Sequence, residues 1–195
     1  MGREIAPILL CNAENFETLS RHERWFQEQP KLLLDALSIQ NGMNIADVGA
    51  GTGFLTVHLA HRVGPQGFVF ATDVQSQMLD ALLSRPDLPD NVIPILSTPT
   101  DTGLPSKTFD LILLVDVYHE ALRPDLLLKN LRRALKSNGR LALVEYRMED
   151  PRITCDPRHK MSARQVIMEL EANRFRLVEL YEHLPWQHIL IFMKQ

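Results

Sequence analysis

The sequence predicts a doubly wound α/β fold, a mostly parallel sheet of seven strands that ends in an antiparallel hairpin. Three observations carry this expectation. From about residue 43 onward, short apolar runs alternate with stretches of helical period. A glycine-rich segment, Gly49-Ala50-Gly51-Thr52-Gly53, lies between the first such run and the first such stretch. The last two extended runs flank a tight turn near Pro185, which makes them antiparallel neighbours.

Asn44–Val48 is the first strand. Phe54–Val63 follows with Leu55, Leu59 and Val63 at helical spacing, and Gly64-Pro65 stops it. Phe68–Thr72 is the second strand, closed by Asp73. Ser76 is placed to cap a helix whose apolar face is Met78, Leu79, Leu82 and Leu83. Val92–Leu96 is the third strand. Phe109–Val115 is the fourth, apolar almost throughout, as a parallel strand covered on both faces must be. Pro124 opens a helix running to about Lys136, with Arg132, Arg133 and Lys136 suited to the negative end of its dipole. Asn138-Gly139 reads as that helix's C-cap, because the run before it has helical period. Arg140–Tyr146 is the fifth strand, and Arg147–Lys160 is a polar loop. Ser162–Ala172 is a helix capped by Ser162, and Phe175–Glu182 with Trp186–Met193 form the hairpin. Ahead of the sheet, residues 14–37 read as a helical cap. Phe16, Leu19, Trp25 and Phe26 form its apolar face, and Pro30 starts a second short helix.

Length and composition bound the function. A chain of 195 residues, 45% hydrophobic and 23% charged, fits one soluble domain. The expected organisation is a cap (14–37), a ligand-binding core (43–146) and a substrate-side loop, helix and hairpin (147–195). A net charge of -3 provides no basic field for nucleic acid. Cys11 and Cys155 make neither a disulfide framework nor a zinc spacing, which points to a reducing cytoplasm. Ile5–Leu10 is too short for a signal-peptide core, Ala6 breaks the myristoylation pattern at Gly2, and no stretch reaches the length of a membrane span.

Ligands of such sheets bind at the carboxyl ends of strands where strand order reverses, so the loop after the first strand is where a ligand is expected. A dinucleotide fingerprint would need its third glycine at position 54, and Phe54 stands there. Asp47 lies two residues ahead of the first glycine, and Asp73 closes the second strand, where a carboxylate can accept from both ribose hydroxyls. These features describe a nucleoside site with no demonstrated pyrophosphate site.

Ala46-Asp47-Val48-Gly49-Ala50-Gly51-Thr52-Gly53-Phe54 resembles motif I of the class I S-adenosylmethionine (SAM)-dependent methyltransferases. Phe70-Ala71-Thr72-Asp73 is similar to their motif II, and Thr108-Phe109-Asp110-Leu111-Ile112 to the approach to motif IV. Leu135-Lys136-Ser137-Asn138-Gly139-Arg140-Leu141 resembles the helix-to-strand passage that follows. The likeness spans roughly residues 43–146 and implies a Rossmann-like methyltransferase fold of the small-molecule branch (methyltransferase type 11 or ubiquinone-biosynthesis-like). By this resemblance the backbone of Gly49, Ala50, Gly51 and Gly53 faces the methionine part of SAM. Asp47 holds its amino group, Asp73 the ribose, and Val74 packs on the adenine. Asp101 or Thr100 meets the adenine amino group, and Val115 joins the cofactor set. The product is S-adenosylhomocysteine, and the implied partner is a small-molecule methyl acceptor.

Methyl transfer needs an aligned nucleophile and exclusion of water, and a base only where the nucleophile is protonated. Asp116, Tyr118 and His119, at the end of the fourth strand, are the catalytic candidates: His119 as base, Tyr118 as a cation–π partner of the sulfonium. The alternative is that His119-Glu120 caps the next helix and Tyr118 packs. Asp116-Val117-Tyr118 lacks the two prolines of the nucleic-acid amino-methyltransferases. No metal is expected, because Asp116, His119 and Glu120 are too close in sequence to converge on an ion without a remote partner. Arg147, Arg152, Arg158, His159 and Lys160 read as a solvated lid, or as a clamp for an acidic acceptor. His188 reads as structural. Two rival functions remain: an NAD-type oxidoreductase, and a SAM-binding protein without catalysis. Within methyltransferases, a protein acceptor is the alternative to a small molecule. Oligomeric state is not legible.

Overall fold

The computed structural model describes residues 5–6 and 23–195. Phe16, Leu19, Cys11 and residues 14–22 of the expected cap lie outside them. Within them, the helices are α1 (Glu23–Gln27), α2 (Pro30–Ala36), α3 (Thr56–Val63), α4 (Ser76–Leu83), α5 (Pro124–Ala134) and α6 (Ala163–Ala172). The strands are β1 (Asn44–Val48), β2 (Phe68–Asp73), β3 (Val92–Leu96), β4 (Phe109–Val115), β5 (Leu135–Arg147), β6 (Lys160–Met161), β7 (Phe175–Tyr181) and β8 (Gln187–Lys194). Two short 3-10 turns, Tyr118–Glu120 and Pro157–His159, complete the set.

Seven strands form one path, β3-β2-β1-β4-β5-β8-β7, and the two-residue β6 adds to β5 beside it. Pairing is parallel from β3 to β5. It turns antiparallel at β5–β8 and β8–β7, as the hairpin pattern predicts. The two faces of the sheet follow the alternation of strand residues. Ala46, Val48, Ile112 and Leu114 point to one core with Leu128 and Leu131 of α5 and Val166 and Leu170 of α6. Ile45, Leu111 and Leu113 point to the other, with Leu33 and Leu34 of α2 and Leu59 and Val63 of α3. β4 is fully buried from Leu111 to Leu114, which explains its unbroken apolar run.

Several boundaries differ from the expectation. Residues 51–55 form turns, so α3 begins at Thr56 rather than Phe54. Gln75, not Ser76, is the N-cap of α4, and no side chain caps it. The Asn138-Gly139 C-cap is overturned. α5 ends at Ala134, and the chain enters β5 at Leu135 in extended geometry. Residues 136–139 fall where the β4–β5 register shifts between Phe109 and Leu111. Asp110 pins this irregularity: both its oxygens accept from Lys136 Nζ at 2.8 Å, and one also accepts the Asn44 amide at 2.9 Å. Gly139 is required because a Cβ there would stand 2.6 Å from the Phe109 carbonyl oxygen. Ser162 does cap α6, accepting from the Gln165 amide at 3.1 Å. β8 begins at Gln187, so Trp186 belongs to the turn.

Candidate functional site

Strand order reverses between β1 and β4, and the carboxyl ends of these strands open into a cavity of about 400 Å³. That volume lies within the range of small-molecule and cofactor sites. The Gly49 loop forms one wall. The Gly49 and Ala50 amides both donate to the Thr72 carbonyl, at 2.8 and 3.0 Å, which ties the loop to the end of β2. Gly49 has φ +75°, and a Cβ there would lie 2.5 Å from Val117 Cγ2. Gly51 has φ +55°, lines the cavity, and a Cβ there would meet nothing within 4 Å. The backbone at Gly51 is therefore bare towards the space a ligand would take.

Two carboxylates stand on this wall. Asp47 is 3% exposed and accepts from the Thr56 hydroxyl at 2.6 Å. Burial pushes its pKa up to about 6, and the nearby Asp73 charge adds to the rise, against the Thr56 hydrogen bond. Asp73 accepts the Gly51 amide on one oxygen and the Gln75 amide on the other, both at 2.9 Å. Burial raises its pKa, and these amides partly offset that. Each Asp73 oxygen keeps a lone pair for a further donor.

Of the sequence-derived cofactor residues, Asp47, Gly49, Ala50, Gly51, Asp73, Val74 and Val115 line this cavity. Gly53 does not: its Cβ position falls on Leu82 of α4, so it serves close loop–helix packing. Thr100 and Asp101 also lie outside the lining, in place of the expected adenine contact. The Thr98 hydroxyl accepts the Asp101 amide at 3.0 Å, and Asp101 turns outward to within 3.8 Å of Arg133. Ser97, Thr98, Pro99 and Thr102 form the wall there instead. The N-terminal helices contribute Glu28, which is 7% exposed and accepts from the Tyr146 hydroxyl at 3.3 Å. Trp25 packs edge-on to Phe54 and tilted on His58, while Phe26 is 68% exposed. Neither lines the cavity.

The residues after β4 separate. Asp116 lines the cavity with φ +54°, a left-handed conformation that Asp tolerates better than most residues. It is held by the Val144 carbonyl, which accepts its amide, and by Gln187 Nε2, which donates to its Oδ2 at 2.7 Å. Tyr118, expected as a cation–π partner of the sulfonium, does not line the cavity. Its ring is fully buried in the core under α6, and its hydroxyl donates to Glu169 at 2.7 Å. His119 is 3% exposed and does not line the cavity either. Its Nδ1 lies 2.6 Å from Oε2 of Glu145, a fully buried carboxylate on β5, and its Nε2 lies 3.0 Å from Nδ1 of His159. Glu120 and His159, not His119, reach the cavity wall, with Cys155 and Tyr146 beside them. Burial lowers the His159 pKa and the facing His119 lowers it further. The remote partner thought absent for His119 and Glu120 is His159: ligand atoms of the three lie within 4.8 Å of one another.

The four other cations of the basic loop have partners within the chain. Arg147 donates to the carbonyls of Glu182, Leu184, Pro185 and Gln187, bracing the β7–β8 turn. Arg152 pairs with Asp150, Arg158 with Asp156, and Lys160 donates to the Ile153 carbonyl. His188 is buried at 1% exposure, and burial takes its pKa down to about 4. Among the described residues, no helix is long and apolar enough to cross a membrane.

The chain is similar to known proteins over this whole region. A family model described as a methyltransferase domain matches residues 46–141. The ubiquinone/menaquinone biosynthesis C-methyltransferase UbiE of Idiomarina loihiensis is 28% identical over 129 residues, covering 64% of this chain and 49% of that protein. The chain thus spans about half the length of the curated relatives it matches. A SAM-dependent methyltransferase from Aquifex aeolicus superposes with a TM-score of 0.88 at 26% identity, covering 95% of this chain and 100% of that one. A TehB-like SAM-dependent methyltransferase from Corynebacterium glutamicum shares the fold, with a TM-score of 0.70 at 18% identity, covering 93% of this chain and 97% of that one.

Proposed function

Because the chain belongs to the class I SAM-dependent methyltransferases, we propose that it transfers the methyl group of SAM to a small-molecule acceptor by in-line displacement. One observation carries this reading. A single cavity joins a bare glycine loop and two buried carboxylates to an end lined by Glu120 and His159. A cofactor at the first end would present its reacting carbon towards an acceptor at the second.

The residues present fit the cofactor. Asp47 is a buried acid whose proton would be displaced by an ammonium group, which suits the amino end of the methionine part. Asp73 keeps lone pairs for two ribose hydroxyls, and exposed Val74 offers an apolar surface for the adenine. When bound, SAM supplies a methyl group already activated by the sulfonium. The chain's own work is to orient the two reactants and keep water out. Asp116, fixed by Gln187, lines the same cavity with Val115 and Val117. Charge that develops on a protonated acceptor would meet Glu120 and His159.

A small molecule suits a cavity of this size better than a protein side chain. The UbiE relatives, named for C-methylation in quinone biosynthesis, favour a quinone-like acceptor and a carbon nucleophile. A cytoplasmic location is part of the same proposal. The test is incorporation of labelled methyl from SAM into a panel of phenols and hydroquinones, with a whole-protein extract alongside. Label in a small molecule supports the reading, and label only in protein transfers it to a protein acceptor. Binding of S-adenosylhomocysteine with no label anywhere favours a non-catalytic SAM-binding protein.

A further inference from the structure

We propose that His119, Glu120 and His159 bind a divalent first-row transition-metal ion at the acceptor end of the cavity, with Glu145 as the outer carboxylate that fixes His119. The three residues come from two separated segments, the turn after β4 and the turn before β6, and converge on one point. His119 Nε2 is 3.0 Å from His159 Nδ1 and 3.9 Å from Glu120 Oε1. Ligand atoms about 2.1 Å from an ion stand about 3–3.5 Å apart, so Glu120, 3.9 Å from His119 and within 4.8 Å of His159, has to draw in on both imidazoles to complete the set.

The support around the set is that of a ligand sphere. Glu145 Oε2 lies 2.6 Å from His119 Nδ1, and its other oxygen accepts the His119 amide at 3.3 Å. A proton held on Nδ1 by this carboxylate leaves the Nε2 lone pair pointing at His159 and Glu120. A buried carboxylate behind a metal-binding imidazole has this role of fixing tautomer and orientation. The same Glu145–His119–His159 chain could pass a proton, but a relay has no use for a third group converging on Nε2. Glu120 supplies that group, which favours the ion. Two imidazoles and one carboxylate suit zinc, iron, cobalt or manganese rather than magnesium or calcium. Three protein ligands leave positions open, and Glu120 and His159 face the cavity, so the open positions are where an acceptor oxygen would bind. That last role rests on the methyltransferase reading, whereas ion binding itself does not.

The experiment uses the full chain, stripped with a chelator and titrated with Co²⁺, followed by visible absorption and then displaced with Zn²⁺. S-adenosylhomocysteine affinity is measured by calorimetry on the same preparations. One Co²⁺ per chain is expected. Binding should be lost in His159→Ala and weakened about 10–100-fold in Glu145→Gln, as for other outer-shell carboxylates. Glu120→Gln, on the cavity wall, should also weaken it. Retained S-adenosylhomocysteine binding shows that each variant is folded. No Co²⁺ spectrum in the wild type, or equal binding by His159→Ala, overturns the proposal. Co²⁺ binding without S-adenosylhomocysteine binding would keep the metal site and remove the methyltransferase reading. The reverse result would do the opposite.

Discussion

The proposed role of Asp47, as partner of the cofactor's ammonium group, makes cofactor binding depend on pH in a way that can be calculated. Its pKa stands at about 6 against an ordinary 3.8 because the carboxylate is buried. That difference is about 3 kcal/mol against the ionised form. The folded value lies above the unfolded one, so the group's contribution to stability is complete below about pH 4. It is lost as pH rises through about 6. An ammonium group placed beside Asp47 needs the ionised form. Binding must therefore release a proton wherever Asp47 holds one. With a pKa of about 6, roughly nine-tenths of molecules are protonated at about pH 5 and few at about pH 7.5. The affinity for S-adenosylhomocysteine is expected to fall about tenfold between those two conditions, with about 0.9 proton released per binding event at the lower pH. Calorimetry in two buffers of different ionisation heat measures both quantities. Asp73 is raised in the same direction, so the Asp47→Asn variant is needed to isolate the effect. That variant should bind more weakly at about pH 7.5 and lose most of the pH dependence. A wild type with flat affinity, or an Asn variant that keeps the tenfold slope, would refute the reasoning.

Three other outcomes follow from the same geometry. Asp73→Ala removes the acceptor of the Gly51 and Gln75 amides and the proposed ribose partner, and should weaken S-adenosylhomocysteine binding by about 1.5–3 kcal/mol in calorimetry. Gly49→Ala imposes a side chain at φ +75° against Val117, and chemical denaturation should show a loss of about 1–3 kcal/mol. Tyr118→Phe deletes the hydrogen bond to Glu169, a pair that does not line the cavity. It should cost about 0.5–1.5 kcal/mol of stability and leave methyl-transfer rates unchanged, and a large fall in kcat would return Tyr118 to the site.

Much of this arrangement was legible from local pattern. The strand runs, the Gly49 loop and Asp73 at the end of β2 each occupy a few contiguous residues, and a parallel order then puts them at one crevice. The hairpin was legible because a short turn forces antiparallel neighbours. What local pattern could not carry is direction and distant pairing. Asn138-Gly139 has the composition of a C-cap, but the anchor that shapes that segment is Asp110, in another strand. Tyr118 and His119 are adjacent in sequence, yet one points under α6 and the other to Glu145 on β5. His159 sat in the polar loop as one cation among several. Its place depends on a fold that brings Pro157–His159 against Tyr118–Glu120. A histidine alone among arginines that each have an acidic neighbour two residues away was the one available signal. Arg147 was likewise unreadable, since its four acceptors are backbone carbonyls of the hairpin turn.

The central claim is that this cavity is built for SAM. Calorimetric titration of the purified chain with S-adenosylhomocysteine, with NAD as the comparison, tests it most directly. Micromolar, one-to-one binding of S-adenosylhomocysteine and none of NAD is the predicted result. Binding of NAD in its place, or of neither ligand, would contradict the account.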